Sequence, residues 1–265
     1  MNSPCSASAS TATDIRASIL AKLDELCERH DCRLLLAVES GSRAWGYASQ
    51  DSDYDVRCVY YHPAGRYLTI RPPRDTIEWE LNEVYDINGW DVRKALGMAQ
   101  RSHLTIFEWC DSPIRYIASP WEEEFRTVIR SVMNPERLAG RYLGMAEGTL
   151  KRYLTMPEPP YKEYFYAIRP LLAARWVMQE RCPAPVPFDV LRKALLPADM
   201  EEEIDTLLAL RNGSTEKACG APRPRAIAYI EQEITALRTI IPDWRTCPEP
   251  DTAPLDDFFR RVVQG

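Results

Sequence analysis

Apolar positions along the chain follow two different periods, and the place where the period changes divides the sequence. From Asp14 to His30 apolar residues recur every three or four positions, which predicts a helix. Short apolar runs bounded by turn residues come next and predict four strands, at 33–39, 53–61, 76–80 and 83–87. Asn88 is then predicted to cap a helix at 89–100, followed by a short helix at 104–110.

Beyond residue 118 the pattern is helical only. The predicted helices are 121–132, 135–154, 161–181, 187–196, 199–211, 223–240 and 254–263. The Ser-, Ala- and Thr-rich segment at the N-terminus reads as a flexible tail. We therefore predict an α+β chain in three parts: the tail 1–13, an α/β domain 14–117 and an all-α C-terminal domain 118–265.

Composition limits the class of protein. A chain of 265 residues with 45% hydrophobic and 27% charged residues is typical of a globular protein with a sizeable core. No apolar stretch approaches the roughly 20 residues of a membrane span, and the N-terminus has no signal-peptide pattern. The net charge of −6 argues against a general nucleic-acid coat protein.

The eight cysteines are scattered, and several lie inside apolar runs. This favours reduced, packed thiols in a cytoplasmic protein. The cluster of Cys27, His30 and Cys32 invites a zinc interpretation, but it lacks a second pair of ligands at the usual spacing. We predict no structural zinc and no membrane partner.

The segment between the first two strands carries the chemistry. Gly41-Ser42 follows the first strand, and ten residues later the D-x-D pair Asp53 and Asp55 opens the second. Residues two apart on a strand share a face, so the two carboxylates repel each other unless a cation lies between them. Mg²⁺ (or Mn²⁺) suits such hard oxygen ligands, and it usually takes one or two carboxylates together with substrate phosphates.

Gly41-Ser42 is predicted to form a tight turn whose backbone N–H groups can cradle phosphate oxygens. A strand, a G-S turn and a D-x-D strand in this order are the parts of a metal-dependent nucleotidyl-transfer site. Arg43 either contacts phosphate or is a surface residue at a helix start. Arg57 continues the alternation of the D-x-D pair and either lies beside the site or forms a salt bridge.

A third carboxylate is expected from a neighbouring strand. Asp86 is the first candidate because apolar residues flank it, although an acid just before a helix also has a dipole benefit. The alternatives that stay open are Asp91, Glu78 and Glu80.

One predicted helix of the C-terminal half also offers ligands. At 100° per residue, Lys162, Tyr166 and Arg169 fall on one helix face. Two cations beside an aromatic ring suit a triphosphate with a stacked base or sugar. The alternative is a solvated face whose side-chain stems cover apolar surface.

The block E-S-G-S-R-A-W-G-Y-A-S-Q-D-S-D-Y-D-V-R at 39–57 resembles the YcgL/RlaP-like predicted nucleotidyltransferases of the DNA polymerase β superfamily. The segments at 86–96, 104–109 and 161–176 are similar to further blocks of that family. The resemblance implies a polymerase-β-type palm, a small mixed sheet with flanking helices, followed by a helical C-terminal domain. It also implies Asp53 and Asp55 as metal ligands, Asp86 as the third acid, and Gly41 and Ser42 as triphosphate binders.

The function implied is transfer of a nucleoside monophosphate from an NTP–Mg²⁺ complex to a hydroxyl. We expect an RNA end as the acceptor, since the family is linked to RNA repair. Two alternatives are a nucleotidyltransferase that attaches AMP to a protein, as in toxin–antitoxin pairs, and a nucleotide-binding regulator without turnover.

Overall fold

The computed structural model describes residues 7–49, 51–212, 215 and 218–265. Its first element is α1, Ala7–His30. The first six residues of the predicted tail lie outside the described part, and residues 7–13 belong to α1. Ile19, Leu23 and Leu26 on one face of α1 are fully buried, so this face packs against the sheet.

Five strands form one mixed sheet. They are β1 (Arg33–Glu39), β2 (Tyr54–Tyr61), β3 (Thr76–Leu81), β4 (Tyr85–Asp91) and β5 (Arg115–Ala118). The order across the sheet is β3-β4-β2-β1-β5, with β2 and β4 parallel and the other neighbours antiparallel. The predicted mixed sheet is therefore confirmed.

The prediction that Asn88 caps a helix beginning at residue 89 is wrong. Strand β4 continues to Asp91, whose side chain accepts the hydrogen bond from the N–H of Arg93 at the start of the next helix. Because β4 lies between β2 and β3, both edges of its backbone have strand partners, and the ladder extends past the local capping signal. A Cβ at Gly89 would lie 2.8 Å from Sγ of Cys58, so glycine lets the strand pass.

Four helices connect the strands: α2 (Gly41–Trp45), α3 (Ala64–Tyr67), α4 (Val92–Gln100) and α5 (Leu104–Cys110). Helix α2 was not predicted, and neither was the short strand β5. The remaining helices are α6 (Glu122–Ser131), α7 (Pro135–Thr149), α8 (Tyr161–Glu180), α9 (Phe188–Leu195), α10 (Glu201–Asn212), α11 (Pro224–Ile240) and α12 (Ala253–Gln264). A π-helical turn at Leu150–Leu154 extends α7.

The sheet separates two apolar cores. One lies between the sheet and α1, and the larger one lies between the other face and the helices of the C-terminal half. Each fully buried Leu, Ile or Phe in these cores contributes about 1.5–3 kcal/mol relative to an exposed position. The α+β class is confirmed, and the boundary at residue 117 stays a prediction.

Within the described residues, no helix has both the length and the hydropathy to cross a bilayer.

Candidate active site

The parallel pairing of β2 with β4 brings two of the predicted acids together. Asp55 is the register partner of Asp86, and partners on adjacent parallel strands have their side chains on the same face of the sheet. The next residues, Val56 and Ile87, point to the opposite face and pack in the core beside α1. The structure therefore places Asp86 where a third acid was expected, and its role as a ligand stays a prediction.

Arg57 joins the two carboxylates. Its Nη2 atom donates to Oδ1 of Asp55 at 2.7 Å and to Oδ2 of Asp86 at 2.6 Å, while Nη1 donates to the Asp86 carbonyl at 2.7 Å. The three side chains are 17–26% exposed. Both interpretations of Arg57 from the sequence therefore hold, since it lies beside the site and forms an ion pair there.

The G-S turn lies directly against this pair. Gly41 has φ +59, and a Cβ on it would lie 2.1 Å from Oδ2 of Asp55. Glycine at 41 thus has two causes, the left-handed backbone and the close approach of a carboxylate. Ser42 is buried in the first turn of the short helix α2, which Gly46 caps at its C-terminal end.

Arg43 faces the backbone that precedes β2. Its Nε donates to the carbonyl of Asp53 at 2.9 Å and its Nη2 to the carbonyl of Ser52 at 2.5 Å. The guanidinium also stacks 3.8 Å from the ring centre of Tyr54. These contacts give Arg43 a structural role that neither alternative included, and a contact with phosphate stays a prediction. The contacts fasten α2 to the D-x-D segment.

Asp53 lies one residue before β2 and is half-buried. In the described part of the chain its carboxylate accepts no hydrogen bond and forms no ion pair. It is therefore the acid of the three whose oxygens are open to a ligand from outside the protein.

The alternatives to Asp86 lie elsewhere. Asp91 is five residues farther along β4, is buried, and accepts a hydrogen bond from Tyr67. Burial raises the pKa of its carboxyl group above the usual value. Glu80 points to the α1 face, where it pairs with Lys22 at 2.5 Å, and Glu78 lies opposite Asn88 on the edge strand.

The donor set fits a divalent cation that brings further ligands with it. Among the residues the structure describes, no three His, Cys, Asp or Glu side chains come together as a ready metal cage. Asp55 and Asp86 nevertheless supply hard carboxylate oxygens side by side near the starts of β2 and β4, and Asp53 lies two residues before Asp55. Mg²⁺ commonly binds through one or two carboxylates plus substrate phosphates, so a preformed cage is not required.

Glu39, which sequence reasoning missed, is a buried acid behind this site. It is 0% exposed, and its Oε1 accepts the backbone N–H of Asp55 at 2.9 Å. Its Oε2 accepts the hydroxyl of Tyr116 at 2.5 Å. Burial raises the pKa of Glu39 to about 7, although both hydrogen bonds act in the opposite direction. The only sequence signal is an acid between an apolar strand and the G-S turn.

The three side chains of α8 that periodicity placed on one face differ in burial, although Tyr166 and Arg169 both contact Trp45. Tyr166 is half-buried with its ring 5.1 Å from that of Trp45 in α2, and Lys162 lies in the first turn of α8. Arg169 is 1% exposed and pairs with Glu108 at 2.8 Å. The buried position of Arg169 directs its guanidinium into the core rather than to a bound triphosphate.

Glu108 is the second functional group that the sequence did not reveal. It accepts hydrogen bonds from Tyr142 at 3.0 Å and Trp45 at 3.3 Å, besides its ion pair with Arg169. Burial alone lowers the pKa of Arg169, but Glu108, Tyr142 and Tyr47 together outweigh it, and the net shift is upward. The cluster joins α2 and α5 of the sheet half to α7 and α8 of the helical half.

A cavity of about 750 Å³ lies at the other end of β2 and does not include these acids. It is lined by His30, Tyr60 and His62, by Arg66 of α3, and by two arginines, Arg71 and Arg74, on the loop between α3 and β3. The carboxylates therefore define the candidate active site, and the size of the cavity does not.

Comparison with known proteins agrees with this geometry. Residues 15–261 match the RlaP family, described as the RNA repair pathway DNA polymerase beta family. The chain is also similar to the uncharacterized protein YcgL of Bacillus subtilis (strain 168), with 32% identity over 252 residues, 94% of this chain and 97% of that protein. The match spans both the sheet and the helical half. The chain therefore belongs to the RlaP family of the RNA repair pathway DNA polymerase beta proteins.

Proposed function

We propose that the protein is a metal-dependent nucleotidyltransferase that moves a nucleoside monophosphate from an NTP to the hydroxyl of an RNA end. The observation that carries this proposal is the register of Asp55 with Asp86, beside the turn at Gly41. Two acids on one sheet face, next to a turn that approaches them closely, suit a metal-bound triphosphate. Membership in a DNA polymerase beta family supports the same class of reaction.

Asp53, Asp55 and Asp86 are the proposed ligands of Mg²⁺ (or Mn²⁺). A divalent ion in such a site neutralises phosphate charge and stabilises the attacking and departing oxygens. Gly41 and Ser42 are proposed to hold phosphate oxygens through backbone N–H groups at the turn, which lies beside the Asp55 carboxylate.

The remaining predicted contacts divide into two groups. Lys162 in the first turn of α8 is proposed to contact the triphosphate, and Tyr166, whose ring lies near Trp45, is proposed to contact the base or sugar. Arg43 and Arg169 are proposed to act on the site indirectly, by fixing the D-x-D segment and the packing of α8 on α2.

The transfer forms one bond and breaks one. The acceptor hydroxyl oxygen attacks the α-phosphorus, the new P–O bond forms, and the bond to the β-phosphate oxygen breaks. Pyrophosphate leaves, and the hydroxyl proton goes to solvent or to a nearby carboxylate.

An RNA acceptor is proposed from the family description, which names an RNA repair pathway. The described cysteines are free thiols, and Cys58 and Cys110 are buried, which supports a reducing, cytoplasmic location. A protein acceptor and a regulator without turnover are outcomes that the following experiment distinguishes.

The purified protein is incubated with each labelled NTP and Mg²⁺, in the presence of either RNA or a cell lysate. Label on RNA is expected, and we expect Asp53→Ala/Asp55→Ala and Asp86→Ala to lower it by about three orders of magnitude or more. Glu80→Ala is the matched control, an acid on the other face of the same sheet, and it should leave labelling unchanged.

Label on a protein band instead of RNA would overturn the choice of acceptor. Nucleotide binding without any incorporation would overturn the proposed enzyme activity. If Glu80→Ala lost as much labelling as Asp86→Ala, the result would contradict the specific role of the Asp55–Asp86 pair in the reaction.

A further inference from the structure

The β1–β2 ladder ends one residue short of Asp55. The last register pair is Glu39 with Val56, and the chain then leaves β1 for the G-S turn. No strand carbonyl is left on that side for the N–H of Asp55. The side chain of Glu39 takes its place, accepting this N–H at Oε1, while the N–H of Ser40 donates to the Asp55 carbonyl at 2.8 Å.

Glu39 is itself held from the opposite edge of the sheet. The hydroxyl of Tyr116 on β5 donates to its Oε2, and the hydroxyl of Ser112 donates to its carbonyl at 2.6 Å. The N–H of Glu39 donates to the carbonyl of Ile114 at 2.9 Å. A buried carboxylate with both oxygens engaged has little freedom to move.

The side chains of Glu39 and Asp55 lie on opposite faces of the sheet. Glu39 shares a register pair with Val56, whose side chain packs in the core beside α1. Asp55 alternates with Val56, so its carboxylate points to the other face, beside Asp86. Glu39 has no exposed surface and lies on the face opposite the Asp55–Asp86 pair, so its route to those acids is the hydrogen bond with the Asp55 N–H.

We propose that Glu39, braced by Tyr116, is the positioning residue that fixes the Asp55 carboxylate for the divalent cation. This inference rests on the proposed function. The Asp55 carboxylate lies close against Gly41, so its position depends on where the first residues of β2 lie. A small shift of the Asp55 backbone would therefore move the ligand oxygens away from the cation. Groups that orient ligands in this way typically account for about 10–100-fold in metal affinity or activity.

The test uses the full chain and three variants of the Glu39–Tyr116 hydrogen bond. Glu39→Ala removes the acceptor, Glu39→Gln keeps an amide oxygen for the Asp55 N–H, and Tyr116→Phe removes only the hydroxyl. Glu203→Ala is the control, since Glu203 is 7% exposed and pairs with Arg223 far from the acids. Mg²⁺ and Mn²⁺ binding is measured by calorimetry with a saturating non-hydrolysable NTP analogue, because the cation is expected to bind together with substrate phosphates. The constants kcat and KM are measured separately.

Glu39→Ala is expected to weaken metal binding and lower kcat by about 10–100-fold each, with little change in the KM for NTP. Glu39→Gln should recover most of both, and Tyr116→Phe should fall between. Glu203→Ala should match the wild type in metal affinity even where its thermal stability drops.

Metal affinity and kcat in Glu39→Ala equal to those of Glu203→Ala would overturn the positioning role and leave the proposed function intact. A wild-type protein that neither binds a cation with the analogue present nor transfers label from any NTP would instead overturn the proposed function, and this inference with it. If Glu39→Ala does not fold, Tyr116→Phe and Glu39→Gln test the positioning role instead. An unchanged metal affinity in Tyr116→Phe would contradict the proposal that the Tyr116 hydroxyl holds Glu39 in place.

Discussion

Oδ2 of Asp55 lies so close to Gly41 that a Cβ on residue 41 would stand 2.1 Å from it. Gly41→Ala therefore forces the carboxylate to turn away, in addition to a left-handed backbone cost of about 1–2 kcal/mol. We expect turnover to fall by about 100-fold from the displaced carboxylate. Steady-state kinetics and Mg²⁺ binding measure the effect.

Gly46→Ala is the control for this prediction. Gly46 also has a positive φ, +88, but a Cβ there would meet nothing within 4 Å. It should lose stability without losing metal affinity. An equal loss of turnover in the two variants would assign the effect to backbone strain and contradict the role of the contact.

Arg57 supplies the positive charge between Asp55 and Asp86 in the metal-free protein. Arg57→Met leaves two neighbouring carboxylates facing each other, and we expect it to lower the free energy of unfolding in EDTA by about 1–3 kcal/mol. A divalent cation should restore more stability to the variant than to the wild type, since it replaces the missing charge.

Thermal unfolding in EDTA and in saturating Mg²⁺ tests this prediction. Arg175→Met is the matched control because Arg175 pairs with Glu233 at 2.6 Å with similar exposure, away from the acids. Its loss of stability should be the same with and without Mg²⁺. A loss in Arg57→Met that Mg²⁺ does not reduce would contradict the idea that Arg57 and the metal serve the same carboxylates.

The sequence was sufficient for the elements whose cause is local. Strand β1 was predicted as 33–39 and is Arg33–Glu39, because an apolar run followed by a glycine turn leaves few alternatives. Asp86 was correctly placed beside Asp55 because its flanking residues are apolar on both sides. Strand β1 with its glycine turn and the pairing of Asp86 with Asp55 together determine where the two carboxylates lie.

What the sequence could not supply depends on contacts between distant residues. Strand β5 is four residues long at the sheet edge, too short to show alternation. Glu39 looks like an ordinary polar strand end until Tyr116, 77 residues away, covers it. Periodicity put Arg169 on one face with Lys162, but it carried no information about the Glu108 carboxylate that buries it.

Removing one partner of the Glu108–Arg169 pair leaves a buried charge without its counterion. Glu108→Gln is expected to lower the free energy of unfolding by about 3–5 kcal/mol, since the two side chains are only 7% and 1% exposed. Arg169→Met should cost a similar amount. Urea unfolding of the single variants and of Glu108→Gln/Arg169→Met gives the coupling between them.

The double variant is expected to lose less stability than the sum of the single variants, because neither charge is then left alone. Additive losses would mean that the hydrogen bonds from Trp45 and Tyr142, rather than the ion pair, account for the role of Glu108.

His103 gives the protein a predictable response to acid. Its pKa is lowered from the ordinary value of 6.5, first by burial and then by Arg141 and Arg101, with Glu108 opposing them weakly. Above pH 6.5 both the folded and the unfolded chain hold a neutral imidazole. As the pH falls below 6.5, His103 binds a proton in the unfolded chain but stays neutral in the folded chain. The free energy of unfolding therefore decreases until the pH reaches the folded pKa.

The substitution His103→Phe keeps a ring against Trp90, whose ring centre lies 6.4 Å from that of His103, and removes the titration. Urea unfolding measured at intervals between pH 7.5 and 5 should therefore show a shallower loss of stability in His103→Phe than in the wild type. Parallel curves for the two proteins would contradict the prediction, because they would assign the acid response to other groups.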